Sequence, residues 1–225
     1  MSTDFFHNID LFSVGATVAA IGILGFVVFF SNRRSITNQS FLLFSLLTII
    51  YGFFNYINYQ IRSLDLILLF QRLTIFSAVW HSFAFFQLFY VFPDEKIEFP
   101  RYYKYGFVPL AVFTALITLT SFVFRGVSPA VSGDGVSTPI QGYGIFIFGP
   151  VVAGFVAGGM FLLIKKMVSA VGKQRIQLKL ISLGAFITFS LIIIFNLVFP
   201  VALNNVRFIP FAPIFMLPLI VLTAF

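Results

Sequence analysis

Apolar stretches about as long as a bilayer is thick recur seven times along this chain, at residues 11–30, 41–59, 66–92, 106–124, 143–164, 180–199 and 208–225. A helix needs roughly 20 mostly apolar residues to cross the hydrocarbon layer, whereas the strands of a membrane barrel alternate in polarity over roughly 10. That alternation is absent. With 60% of residues hydrophobic and 9% charged, a water-soluble globule is excluded. The sequence predicts an all-α membrane protein, a single domain over residues 1–225 folded as a seven-transmembrane-helix bundle.

The polar links set the orientation. Arg33 and Arg34, then Lys96, Arg101 and Lys104, then Lys165, Lys166, Lys173, Arg175 and Lys179 fall in alternate links, and the intervening ones hold Arg62, Arg125 and Arg207. Basic residues concentrate in cytoplasmic loops, so the N-terminus is expected outside and the C-terminus in the cytoplasm. The net charge of +7 then reports topology, and nucleic acid is not an expected partner. Residues 1–10 carry Asp4 and Asp10 but no Lys or Arg, which does not fit a cleaved secretory signal. Phe225 ends an apolar run with no interfacial anchor behind it, so a cytoplasmic continuation is expected. Cysteine is missing, which removes disulfide and thiolate chemistry.

Individual spans carry further signals. Gly15, Ala19, Gly22 and Gly25 in the first would let a neighbouring helix approach closely. The third exceeds what an upright helix needs, so it should tilt or protrude. Residues 125–141 form the longest expected outer loop, and residues 165–179 the most basic inner one. Gly154 and Gly158 on the fifth span suit ordinary packing within the chain or, as the alternative, a homodimer contact. Pro210, Pro213 and Pro218 make the seventh span the one expected to kink, after a link holding Asn204 and Asn205.

Polar side chains gather around the link at residues 60–65. Tyr51, Asn55, Asn58 and Arg62 follow one another at spacings of four, three and four, which puts them on one helix face. Gln71 and Arg72 come within two turns of the start of the next span, at comparable depth, and Asn196 in the sixth span could join them. These six residues, Tyr51 to Arg72, are the expected lining of a small outward-facing ligand pocket. No Asp or Glu lies within a predicted span, so Arg72 must snorkel, meet carbonyls or amides, pair with Asp65, or bind an anionic ligand. His81, beside Trp80 in mid-span, lacks the carboxylates of a proton relay and is expected to be neutral and bonded to a backbone or hydroxyl group. His7 is too isolated to suggest a metal site. Zinc, phosphate-loop and nucleophile signatures are lacking, so neither catalysis nor a cofactor is expected.

Four short motifs carry a resemblance: Asn38-Gln39-Ser40-Phe41 through Phe44; Gln71-Arg72-Leu73; Phe89-Tyr90-Val91-Phe92-Pro93; and Lys173-Gln174-Arg175-Ile176-Gln177-Leu178-Lys179 running to Gly184, Asn196 and Pro200. In these the chain resembles the N-terminal seven-helix membrane module of bacterial sensor histidine kinases. The resemblance implies a multi-pass protein of the bacterial plasma or inner membrane, surrounded by lipid. It implies binding of a small extracytoplasmic or lipid-derived molecule and relay to a cytoplasmic signalling domain in cis or trans. A phosphoacceptor His box and ATP-binding Gly motifs are not in this sequence, so the chain is not expected to be an enzyme. The alternative function is a small transporter or channel component; a third is a scaffold dimerising on the Gly154 and Gly158 face.

Overall fold

The computed structural model describes residues 2–128, 138–199 and 208–224, with the side chains of residues 2–10, Thr138 and Leu197 excepted. The readings placed on His7, residues 129–137, Pro200, Asn204, Asn205, Arg207 and Phe225 lie outside that description. Helices α1 (Ser2–Ser31), α2 (Ile36–Asn58) and α3 (Leu64–Val91) come first. A π-helical turn at Tyr103–Phe107 leads into α4 (Val108–Thr118). Strands β1 (Phe124–Ser128) and β2 (Thr138–Gln141) pair antiparallel, and α5 (Ile145–Ser169) and α6 (Gly172–Ile192) follow. The last helix turns through a π-helical stretch at Ile193–Val198, then a 3₁₀ turn at Ile209–Phe211 opens α7 (Ala212–Ala224).

Five helices are long and apolar enough to cross a membrane: Leu11–Ser31, Ile36–Asn58, Leu64–Val91, Ile145–Ser169 and Gly172–Asn196. Tyr103–Thr118 and Ile209–Ala224 are apolar but shorter. Only 22% of the most apolar part of the first span is buried inside the protein. Phe12, Phe146 and Phe186 are 76%, 76% and 68% exposed, a cost that water would not tolerate over so large an area. Their solvent is lipid. The chain is a multi-pass membrane protein.

Three boundaries differ from the sequence expectation, each for a physical reason. Residues 119–124 do not complete the fourth span, because Gly142 N–H donates to Val123 O and Gly144 N–H to Phe122 O, drawing that stretch into the hairpin. The expected outer loop at 125–141 accordingly contains paired strands; an apolar run as short as Val123-Phe124 fits a strand as well as a helix end. The expected basic loop at 165–179 is mostly helix. Lys165 and Lys166 close α5, and Lys173, Arg175 and Lys179 open α6 across a two-residue link. Gly172 makes that turn possible with a backbone φ of +59°, which a side chain would strain.

Helix α3 is the centre of the bundle, packed against α2, α5, α4 and β1. Its Phe85, Leu88 and Phe89 join Phe41 and Phe44 of α2 and Leu163 of α5 in one buried cluster. Its Val79, Phe83 and Phe86 join Tyr103, Ala111 and Phe155 in another. Small residues set the close approaches. A Cβ on Gly159 would meet the Phe85 ring at 2.7 Å, one on Gly25 would meet Ser45 at 2.8 Å, and one on Gly184 would meet the Pro218 carbonyl at 2.8 Å. Gly154 has nothing within 4 Å, so of the expected glycine pair it is Gly158, facing Phe86 at 3.2 Å, that packs inside the chain.

The links 32–35, 92–102 and 170–171 share one end of the bundle. Ile36 N–H donates to Glu95 O at 2.9 Å and Thr37 Oγ1 to Asp94 O at 2.7 Å. Lys166 Nζ donates to Tyr90 O at 2.8 Å and also to Phe92 O, occupying carbonyls that a helix end leaves open. Ten cations thus cluster at one end, where α7 also finishes beside a 210 Å³ groove lined by Asn38, Gln177 and Thr223.

Candidate functional site

The site begins with spacing on α2. Phe44 and Tyr51 are seven residues apart, two turns on one face, and seven residues rise about 10.5 Å. That interval is the room an aromatic ring needs between two others, and His81 of α3 fills it. Its imidazole stacks on Phe44 at 5.0 Å with 13° between planes, and on Tyr51 at 5.6 Å and 3°. The ring is clamped in orientation. Nε2 of His81 is buried without a hydrogen-bond partner, so the backbone or hydroxyl bond expected of this histidine is not made at that atom.

Behind the clamp lies a cavity of about 140 Å³. It is lined by Tyr51, His81 and Ser82, by Val152, Val156, Phe189 and Asn196, and by Ala212, Met216 and Leu219 of α7. Ser82 is already satisfied, donating to Val79 O at 2.8 Å. Asn196 is not: its Oδ1 is buried with no partner. It sits within the π-helical turn at Ile193–Val198, a geometry that widens the helix by one residue and often marks functional positions. The wall is therefore apolar apart from Tyr51, His81, Ser82 and Asn196.

Of the six residues expected to share an outward pocket, Tyr51 lines this cavity, with Asn196. One turn on, Asn55 is buried and its Nδ2 donates to Ile209 O at 2.8 Å, fastening α2 to the 3₁₀ turn before α7. Asn58 and Gln71 each bury a side-chain oxygen without a partner. Arg62 is exposed on the link between α2 and α3. Arg72 Nη2 donates to Phe124 O of β1 at 2.6 Å, while its Nε is buried and unpartnered. Meeting a carbonyl is thus the one of its four expected outcomes that this contact realises.

Comparison with protein-family models, curated proteins and solved structures gives no match to this chain. Its function must be argued from its own residues. The lining carries no carboxylate and no fixed cation, and among the described residues no group of three potential metal ligands occurs. What the geometry offers is shape and hydrogen bonding. His81 was visible in the sequence as a lone mid-span histidine; the aromatic pair seven residues apart on the neighbouring helix was the signal for its clamp. The approach of α7 had no local signal.

Proposed function

We propose that this chain is the sensory input module of a membrane signalling protein, crossing the bilayer seven times with its N-terminus outside and its C-terminus in the cytoplasm. A small extracytoplasmic or lipid-derived molecule binds inside the bundle, and the last helix relays its presence to a cytoplasmic signalling partner. The module has no catalysis of its own. The resemblance of the four motifs to sensor-kinase membrane modules supports this reading, as does the crowding of ten cations at the end where α7 finishes.

The observation that carries the proposal is that α7 belongs to two places at once. Its first turns wall the cavity through Ala212, Met216 and Leu219, and its last residues lie at the basic end. Pro218 interrupts its backbone ladder, and Leu219 N–H donates instead to Thr188 Oγ1 of α6 at 3.1 Å. A helix interrupted by a proline, with a freed backbone group satisfied by a neighbouring hydroxyl, has a place at which it can bend. A ligand preferring one packing shifts the population, by no more than its difference in affinity for the two.

The test follows the end of α7. Nitroxides on cysteines introduced at Arg34 and Thr223, in a chain reconstituted into vesicles, report their separation by electron-spin distance measurement. A change in the distance distribution with one of a panel of small uncharged phenols, alcohols and amides is expected. An unchanged distribution across the panel would count against the relay.

A further inference from the structure

Helix α6 sets two of the chain's cations in line with its lipid-facing side chains. We propose that Arg175 and Lys179 hold the phosphate of an anionic phospholipid headgroup, whose acyl chains lie along the exposed stripe of Ile176, Leu183 and Phe186. This site is independent of the sensory role proposed above.

Helical geometry makes the alignment. At 3.6 residues per turn, Arg175, Ile176, Lys179, Leu183 and Phe186 fall within about 100° of one another around the helix. Leu178, Ile181, Ala185 and Thr188 fall on the far side and are buried in the bundle. Ile176, Leu183 and Phe186 are 61%, 50% and 68% exposed, and the surroundings that suit so apolar a stripe are hydrocarbon. Lys179 is exposed on the same stripe, between Ile176 and Leu183, so the boundary between acyl chains and headgroups crosses the helix there. Its long stem covers apolar surface while the ammonium reaches the polar layer. Charge then decides what meets it. Arg175 is exposed one turn earlier, and like charges four residues apart on a helix repel. No Asp or Glu follows Asp134 in the sequence, so α6 supplies no counter-charge of its own, and among the described residues neither cation makes an ion pair. A phosphodiester accepts charge-assisted hydrogen bonds from both and removes the repulsion. A zwitterionic headgroup would bring its own cation beside these two with no carboxylate on the helix to receive it, which favours a headgroup of net negative charge.

The chain has no cysteine, so a single Leu183→Cys, one turn beyond Lys179 and labelled with bimane, reports which lipid lies against the stripe. Its fluorescence is read in vesicles of a fixed mixture in which either the phosphatidylglycerol or the phosphatidylcholine carries brominated, quenching acyl chains. Phosphatidylglycerol is expected to be enriched at the probe about fivefold over its share of the bilayer, the worth of one cation at an anionic surface. Arg175→Gln and Lys179→Gln should each lower the enrichment and together abolish it, whereas Arg175→Lys should keep most of it. Equal access of the two lipids to the labelled chain overturns the proposal without any charge variant, and so does an enrichment that survives the double substitution. Loss of the enrichment on adding millimolar inorganic phosphate, but not chloride of the same ionic strength, would assign the pair to a soluble anion and overturn the lipid site as well.

Discussion

Arg72 and Lys166 show how backbone carbonyls accommodate a cation near hydrocarbon. Each reaches carbonyl oxygens of another element, Phe124 O for Arg72 and Tyr90 O with Phe92 O for Lys166. A hydrogen bond from a charged donor contributes about 1.5–3 kcal/mol, partly offset by the cost of holding the charge out of water. Arg72→Met should loosen the hairpin by about 1–2 kcal/mol, read as faster amide exchange at Phe124 and Val127, and Arg72→Lys should restore part of the protection. Asn55→Leu removes the bond to Ile209 O and should lower the unfolding midpoint in detergent at a cost of about 1 kcal/mol. The four-three spacing of Tyr51, Asn55 and Asn58 was legible as one face of α2, whereas Arg62, expected on the same face, falls beyond the helix end. Which partners those residues take was not, because Ile209 lies 154 residues from Asn55 and Phe124 lies 52 from Arg72.

At the scale of elements, glycines decide which helices touch. Gly184 lets α6 lie against the backbone of α7, where an added side chain would meet the Pro218 carbonyl and the Leu219 Cα at 2.8 and 3.1 Å. A backbone cannot rotate away. Gly184→Leu should destabilise the bundle by about 1–3 kcal/mol, whereas Gly154→Leu, with open space around it, should stay within about 0.5 kcal/mol. Thermal unfolding of the two variants side by side checks the contrast. Thr188→Val tests the same contact from the other partner, since it withdraws the hydroxyl that accepts from Leu219 N–H at 3.1 Å; a loss of about 1 kcal/mol is expected. The helix-rich pattern of the sequence was read correctly because long apolar runs have one membrane solution. The hairpin was missed because its pairing, which sets Gly126 opposite Ile140 and Val127 opposite Pro139, is invisible to local periodicity.

For the whole molecule, the orientation proposed above makes a prediction that a cysteine-free chain is suited to test. Single cysteines replacing the exposed Arg34, Arg101 or Lys173 should react with an impermeant maleimide from the side opposite to those replacing the exposed Arg62 or Arg125. Labelling of both sets from one side of intact cells would remove the alternating topology and with it the outward-facing sensor. The sequence by itself determined the solvent: apolar stretches of this length and so few charges leave helices in lipid as the physical choice, since no backbone polar group can go unpaired there. It also determined the polar faces, because helical periodicity is a local property. Tertiary structure alone decided what those faces meet. Stacking His81 between Phe44 and Tyr51, and bringing Asn196 and α7 to line the same cavity, depend on contacts between helices, which the pattern within any one of them does not encode.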